Sequence, residues 1–244
     1  MHTEAILVED RQREAEKFRQ RKLQELQSSS ERVYPNGGLL NGYRKNLCFA
    51  NSLLQCLRLT DLHRILQFHP KCKDLHACFT CGLSDFIKTA PITAEPLCRQ
   101  LTRFWPAYKF GQQEDCHELL NKIMDDVEEN CFWQDEDKDE RRIFFGKIRY
   151  LRTCTICNTE TSTSASFFDI SVSIANESDI IMDKAALFGV IVHRGKTLNS
   201  GHYYAFVQFA EKWYRVDDTH IEESSIYHMK RCEGEPYLLL YRRK

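Results

Sequence analysis

The sequence has no hydrophobic run long enough to cross a membrane and no excess of charge of either sign. Its longest apolar run covers residues 185–192, far short of the roughly 20 residues that span a bilayer. The 34 Lys and Arg residues almost balance the 35 Asp and Glu residues, so no overall basic charge is available to bind phosphate backbones. We therefore expect no membrane insertion and no nucleic-acid partner.

A secretory signal and a complete set of cysteine pairs are also missing. The N-terminus is apolar only at residues 5–8 before charge begins at Glu9, a pattern that does not fit a signal peptide. The 11 cysteines cannot all pair with one another. We interpret them as thiols, metal ligands or nucleophiles in a reducing compartment, which predicts an intracellular protein, cytoplasmic or nuclear or both.

The chain of 244 residues divides into a charged extension and a globular remainder. Residues 9–27 are rich in charged, helix-forming side chains. Their thin apolar stripe favours a solvated helix, with a partner-binding helix as the alternative. Ser, Pro, Asn and Gly residues follow and indicate a boundary. We assign residues 1–35 to a helical extension or linker and residues 36–244 to the folded domain.

Within the folded domain the pattern changes from helical to strand-like. Apolar residues recur at helical spacing over residues 48–62 and 114–127, whereas later segments are rich in β-branched and aromatic residues. The predicted strands are residues 144–152, 167–174, 189–193, 202–209, 213–216 and 237–241. Helices followed by an antiparallel sheet predict an α+β fold.

Residue types typical of thiol-based catalysis are present in this domain. Cys48 follows a loop rich in Gly, Asn and Lys and begins a predicted helix, where the helix dipole favours a thiolate; a buried structural cysteine is the alternative. His202 can act as the general base for such a thiol. Asp217 and Asp218 end the strand that follows His202, and a carboxylate there can fix the tautomer of the imidazole. The pattern predicts a Cys/His/Asp site.

Four segments carry a more specific pattern. They read GLLN and CFANSLLQ within residues 38–55, GQQEDCHEL at 111–119, HRG, GHYYA and WYRVDD within 193–218, and YLLLY at 237–241. In this order they resemble the conserved boxes of the ubiquitin-specific proteases. The resemblance covers residues 37–244 and implies a papain-like thumb–palm–fingers fold. It also implies hydrolysis of bonds to the C-terminus of ubiquitin.

The resemblance also assigns roles to individual residues. It implies Cys48 as the nucleophile, His202 as the base and Asp217 as the orienting carboxylate, with Asp218 beside it. It further implies contacts to the extended ubiquitin tail, and the candidate substrate-binding residues are Asp115, Gln112 and Tyr203. Such a reaction needs no cofactor. The expected partners are ubiquitin or ubiquitinated proteins, and a monomer is expected.

The loop before the nucleophile departs from the family pattern. The family places an oxyanion-stabilising Asn five residues before the cysteine, whereas Asn41 lies seven residues before Cys48. Asn46 is the alternative donor. Loss of an oxyanion donor costs about 100- to 1,000-fold in turnover. We therefore keep a second hypothesis beside the thiol-dependent deubiquitinase, namely a weak or inactive family member that acts as a ubiquitin-binding or scaffold module.

The cysteine pattern departs from the family as well. Cys154 and Cys157 form a Cys-x-x-Cys pair, but no second pair follows. The structural zinc of the family would lack two of its four ligands, and we expect reduced fingers. A separate group supplies four candidate zinc ligands, with a helix packed through buried thiols as the alternative. These ligands are Cys72, Cys78 and Cys81, with either His69 or His76.

Overall fold

Helices occupy the N-terminal half of the described chain. The computed structural model describes residues 37–67, 69, 72, 78–89, 91–131, 146–169, 185–197 and 200–243. The helices are α1 (Cys48–Leu57), α2 (Leu62–Leu66), α3 (Phe79–Thr89), α4 (Glu95–Gln100) and α5 (Cys116–Cys131), with a 3₁₀ turn at Leu101–Arg103. The predicted extension over residues 1–35 lies outside the described residues. Within the part described, no helix has both the length and the apolar character needed to span a membrane.

Antiparallel strands make up the C-terminal half. They are β1 (Gly146–Thr153), β2 (Glu160–Phe167), β3 (Ala185–Thr197), β4 (Ser200–Phe209), β5 (Lys212–Asp217), β6 (His220–Ser224) and β7 (Glu235–Arg243), with a short helix α6 (Ile226–Met229) before β7. Strands β1 and β2 form a hairpin, and the other five form a sheet in the order β6-β5-β4-β3-β7. The predicted α+β architecture is confirmed.

Helix α1 lies at the centre of the domain. All ten of its residues are buried, because it packs between strand β4 on one side and α5 on the other. A helix that is buried all round must pair its polar side chains internally. Accordingly, the Ser52 hydroxyl donates to the Phe49 carbonyl at 3.0 Å, and Asn51 donates to the Leu39 carbonyl at 3.3 Å. The helix is therefore a rigid support for the residue at its start.

The sheet is covered on both faces near α1. One face carries a cluster of buried side chains that the short helix α6 helps to cover: Val190, Val192, Tyr204, Phe206 and Trp213. The alternate residues Ile191, Tyr203 and Ala205 are buried on the opposite face, since successive side chains of a strand point to opposite faces. Strands β3 and β4 are consequently fixed where they reach the site.

Gly38 determines the path of the chain into α1. A Cβ atom at this position would lie 2.3 Å from the Asp218 carbonyl oxygen and 2.4 Å from the Thr219 Cα, so only glycine fits. The Leu39 N–H then donates to the Asp218 carbonyl at 2.8 Å. The segment before α1 is therefore docked on the turn between β5 and β6.

Several elements differ from the sequence prediction. The helix predicted over residues 48–62 is broken after Leu57, because the Thr60 hydroxyl donates to the Leu57 carbonyl at 2.7 Å and accepts the Leu62 N–H at 3.2 Å. The strand predicted over residues 167–174 does not continue into residues 168–169, and the remainder lies outside the described residues. Its place in the hairpin is taken by β2, whose Ser- and Thr-rich sequence gave little strand signal.

Candidate active site

The structure brings Cys48, His202 and Asp217 together. Cys48 is the first residue of α1 and is 4% exposed. His202, on β4, is hydrogen-bonded to Cys48, and its Nε2 lies 2.5 Å from Asp217 Oδ1. Because Nε2 faces Asp217, the other ring nitrogen, Nδ1, is the one available to the sulfur. The three elements α1, β4 and β5 thus place a thiol, a base and a carboxylate in a row.

The electrostatics of this row favour a charged imidazole. The hydrogen bond to Asp217, followed by the one to Cys48, raises the pKa of His202 to about 10, against the opposing effect of burial. The same hydrogen bond to His202 lowers the pKa of Asp217 below its ordinary value. An imidazolium beside a thiol is the arrangement that activates a cysteine nucleophile.

Asn41 is held at the start of α1 despite the longer loop. Its Oδ1 accepts the Leu47 N–H at 3.0 Å, and its Nδ2 donates to Asp218 Oδ2 at 2.9 Å. The other carboxylate oxygen of Asp218 accepts from Asn51 Nδ2 at 2.7 Å. The Asn41 amide is therefore anchored beside the residue that precedes Cys48.

The loop accommodates its extra residues by bulging outward. Arg44 and Asn46 adopt positive φ angles of 57° and 48°, and Lys45 forms an ion pair with Glu95. The side chain of Asn46 donates to the Gly111 carbonyl at 2.7 Å. Asn46 thus ties the loop to the segment before α5, whereas the Asn41 amide lies at the start of α1.

Gln113 is a site residue that the sequence analysis missed. Its Nε2 donates to the Gly201 carbonyl at 2.9 Å, and its Oε1 accepts the Gly201 N–H at 3.1 Å. The same Nε2 lies 3.7 Å from Cys48 Sγ. Gln113 therefore links the helical half to the strand that carries His202. The neighbouring Gln112 is exposed, and sequence alone does not distinguish two adjacent glutamines.

Asp115 and Tyr203 occupy supporting positions in the structure. Asp115 Oδ1 accepts the His117 N–H at 2.7 Å in the first turn of α5, and its Oδ2 accepts from the Tyr237 hydroxyl at 2.6 Å. Tyr203 is fully buried against Tyr237 and His193. The ring of Tyr203 therefore packs behind Asp115 in this structure, and its role as a substrate contact stays a prediction.

A second cluster fits a zinc ion. The ligand atoms of His69, Cys72, Cys78 and Cys81 all lie within 4.8 Å of one another. His69 Nε2 is 3.0 Å from Cys72 Sγ and 3.2 Å from Cys78 Sγ, and its Nδ1 is 3.1 Å from the Asn130 carbonyl oxygen. A proton on Nδ1 leaves Nε2 free to bind a metal, and one imidazole with three thiolates is a common zinc set.

The other predicted ligands stand apart from this cluster. Cys154 and Cys157 are exposed in the turn between β1 and β2, and within the described ranges they join no group of three potential ligands. They are therefore not ligands of the His69 cluster. The alternative ligand His76 lies outside the described residues.

The sequence matches a known family model over most of the domain. The model described as "Ubiquitin carboxyl-terminal hydrolase" matches residues 38–184 and 160–241. Ubiquitin carboxyl-terminal hydrolase 16 of Arabidopsis thaliana is 27% identical over 59% of this chain, and human ubiquitin carboxyl-terminal hydrolase 42 is 29% identical over 53% of it. The matches span 16% and 11% of those two relatives, respectively.

The fold also matches solved structures. The SAGA Ubp8/Sgf11/Sus1/Sgf73 DUB module bound to ubiquitin aldehyde gives a TM-score of 0.70 at 16% identity, covering 88% of this chain and 71% of the matched one. At this identity the likeness shows the fold alone. It confirms the predicted papain-like fold with a helical N-terminal half and an antiparallel C-terminal half.

We predict that His202 carries a positive charge in the wild-type protein at about pH 8. Its raised pKa, about 10 against an ordinary 6.5, means that the stabilisation from this charge is complete below pH 6.5 and is lost as the pH rises towards 10. Asp217→Asn should lower the pKa most, and Cys48→Ser less. Imidazole ¹⁵N resonances report the charge directly. A neutral His202 in the wild type at about pH 8 would contradict this electrostatic account.

Proposed function

Since the chain belongs to the ubiquitin carboxyl-terminal hydrolase family, we propose that it is a thiol-dependent deubiquitinase that hydrolyses bonds to the C-terminal glycine of ubiquitin. The observation that carries this proposal is the row formed by Cys48, His202 and Asp217, with Asp217 Oδ1 2.5 Å from His202 Nε2. A cysteine with only a structural role would not require a charged imidazole that is itself oriented by a carboxylate. The arrangement therefore favours a catalytic role for Cys48.

The proposed reaction proceeds in two steps. In the first, Cys48 Sγ gives its proton to His202 and attacks the carbonyl carbon of the terminal glycine, and the His202 imidazolium then passes that proton to the departing amine. This breaks the amide bond and leaves a thioester on Cys48. In the second, His202 takes a proton from the water that attacks the thioester and returns it to the departing Cys48 sulfur, and the C-terminal acid of ubiquitin is released and ionises to the carboxylate. Asp217 keeps the imidazole oriented throughout.

Negative charge develops on the former carbonyl oxygen in both steps. The backbone N–H of Cys48 is one donor, because it lies at the N-terminus of α1. Asn41 Nδ2 uses one of its two hydrogens for Asp218, and the second hydrogen is available as the other donor. We assign Asn41 to the oxyanion site on this basis, with Asp218 as its anchor.

The ubiquitin tail would approach between the helical half and the sheet. Gln113 and Gly201 face each other across this boundary, and Asp115 lies at the start of α5. The solved module with the same fold is described as bound to ubiquitin aldehyde, which supports ubiquitin as the partner of this chain. We keep Asp115 and the exposed Gln112 as proposed contacts to the tail and add Gln113 to them.

A ubiquitin-binding scaffold is the second candidate function. It is favoured by the altered loop before Cys48, which bulges at Arg44 and Asn46, and by the single Cys-x-x-Cys pair between β1 and β2. Both functions need the same fold and the same ubiquitin-binding surface. The two functions differ in whether Cys48 catalyses hydrolysis.

We also propose that His69, Cys72, Cys78 and Cys81 bind one structural zinc ion. The convergence of four ligand atoms within 4.8 Å and the orientation of His69 by the Asn130 carbonyl support this proposal. Such an ion would tie the chain after α2 to the start of α3 and to the end of α5. It would supply rigidity to the helical half and take no part in the reaction.

The zinc proposal predicts about one equivalent of zinc per chain in purified protein. Cys81→Ser should lose most of it and lower the unfolding temperature, because a tetrahedral structural site needs all its ligands. The matched control is Cys157→Ser, which should keep its zinc. Elemental analysis and thermal unfolding with and without a chelator measure both effects. A wild-type protein with less than about a tenth of an equivalent would contradict the assignment.

If the chain is a thiol-dependent deubiquitinase, we expect a ubiquitin probe with a C-terminal electrophile to form an adduct on Cys48. Cys48→Ala should abolish the adduct, since among the described residues no other thiol has an imidazole partner that a carboxylate orients. Peptide mapping identifies the labelled residue. Labelling of Cys78, Cys116 or Cys154 instead would contradict the assignment of the nucleophile.

Turnover of a fluorogenic ubiquitin amide then separates the enzyme from the scaffold. An enzyme should lose about 100- to 1,000-fold in turnover in Asn41→Ala, with ubiquitin binding little changed because the donor acts mainly on the transition state. A chain that binds ubiquitin without measurable turnover is the scaffold.

A further inference from the structure

Arg215 is a charged residue next to the row formed by Cys48, His202 and Asp217. It takes no direct part in the proposed reaction. Its Nη2 donates to Asp217 Oδ2 at 2.8 Å, while the other oxygen of the same carboxylate faces His202 at 2.5 Å. Each carboxylate oxygen therefore has its own partner. Arg215 and Asp217 lie two residues apart on β5, where side chains point to the same face of the strand.

The guanidinium of Arg215 is itself held in place. Its central carbon lies 4.7 Å from the centre of the Tyr204 ring, a cation–π contact, and its Nη1 lies 3.5 Å from Glu222 Oε1 on the neighbouring strand β6. The Tyr204 ring is stacked 6.3 Å from the His202 ring with an interplanar angle of 23°. Arg215 and His202 thus both contact Tyr204 and Asp217.

These contacts restrict the orientation of the Asp217 carboxylate. A carboxylate bonded through one oxygen can rotate about its terminal torsion, which is broad for Asp. A second, charge-assisted hydrogen bond removes that freedom and keeps the group ionised. The oxygen that faces His202 is then aimed along one direction, and the imidazole is aimed in turn at Cys48.

We propose that Arg215 is a positioning residue for the reaction, acting on His202 through Asp217. This inference rests on the proposed deubiquitinase function. In the proposed reaction Arg215 touches neither the substrate nor the reacting atoms. Its substitution should lower kcat and leave KM nearly unchanged, because the substrate-binding residues are not in contact with it.

The test uses steady-state hydrolysis of a ubiquitin C-terminal fluorogenic amide. We expect Arg215→Gln to lower kcat about tenfold, and Arg215→Lys to recover most of the loss because it restores the charge. In an Asp217→Asn background, Arg215→Gln should have no further effect beyond about twofold. Lys212→Gln is the matched control, since Lys212 pairs with Glu223 at 2.9 Å and lies three residues before Arg215 on the same strand, hence on its opposite face.

The outcomes separate this inference from the function on which it rests. A wild type with no turnover overturns the function, whereas an active wild type with an unchanged Arg215→Gln variant overturns the role of Arg215 alone. An equal loss in the wild-type and Asp217→Asn backgrounds also overturns it, because the effect would not pass through Asp217. Arg215→Met keeps the side-chain stem over Tyr204 and replaces Arg215→Gln if the latter is unfolded by circular dichroism.

Discussion

The carboxylate of Asp218 holds the loop before α1 against the sheet, and the geometry of the site depends on this contact. Its two oxygens accept hydrogen bonds from Asn41 and Asn51 at 2.9 and 2.7 Å, and its backbone carbonyl accepts the Leu39 N–H at 2.8 Å. One residue of the turn after β5 therefore fixes the entry to α1 and the side chain of Asn41. Charge-assisted hydrogen bonds of this kind are stronger than neutral ones.

The neighbouring carboxylates of Asp217 and Asp218 bind side chains in different halves of the domain. Asp217, the last residue of β5, is directed towards His202 and Arg215 within the sheet. Asp218 adopts a positive φ of 49° in the turn, which directs its side chain towards the helical half. The base and the oxyanion amide are thus placed from one point in the chain, so a shift of this turn would disturb both.

The sequence predicts the local chemistry of the site better than its long-range contacts. The helix start at Cys48 follows from the apolar periodicity after a polar loop. The anchoring of Asn41 does not follow, because it depends on a positive φ at Asp218 far along the chain. Whether Gln112 or Gln113 bonds to Gly201 depends on the turn before α5. The contact of Arg215 with Asp217 depends on which face of β5 lies beside Tyr204.

We infer that Asp218 anchors Asn41 and thereby the start of α1, and the rate of amide hydrogen exchange at Leu47 measures this anchoring. The Leu47 N–H donates to Asn41 Oδ1 at 3.0 Å, so its protection reports whether Asn41 is held. We predict that Asp218→Ala speeds exchange at Leu47 by about tenfold or more. The Arg58 N–H, bonded to Leu54 at the far end of α1, should be unaffected, and Asp217→Ala should leave Leu47 protected. Unchanged protection of Leu47 in Asp218→Ala, or an equal loss in Asp217→Ala, would contradict the claim.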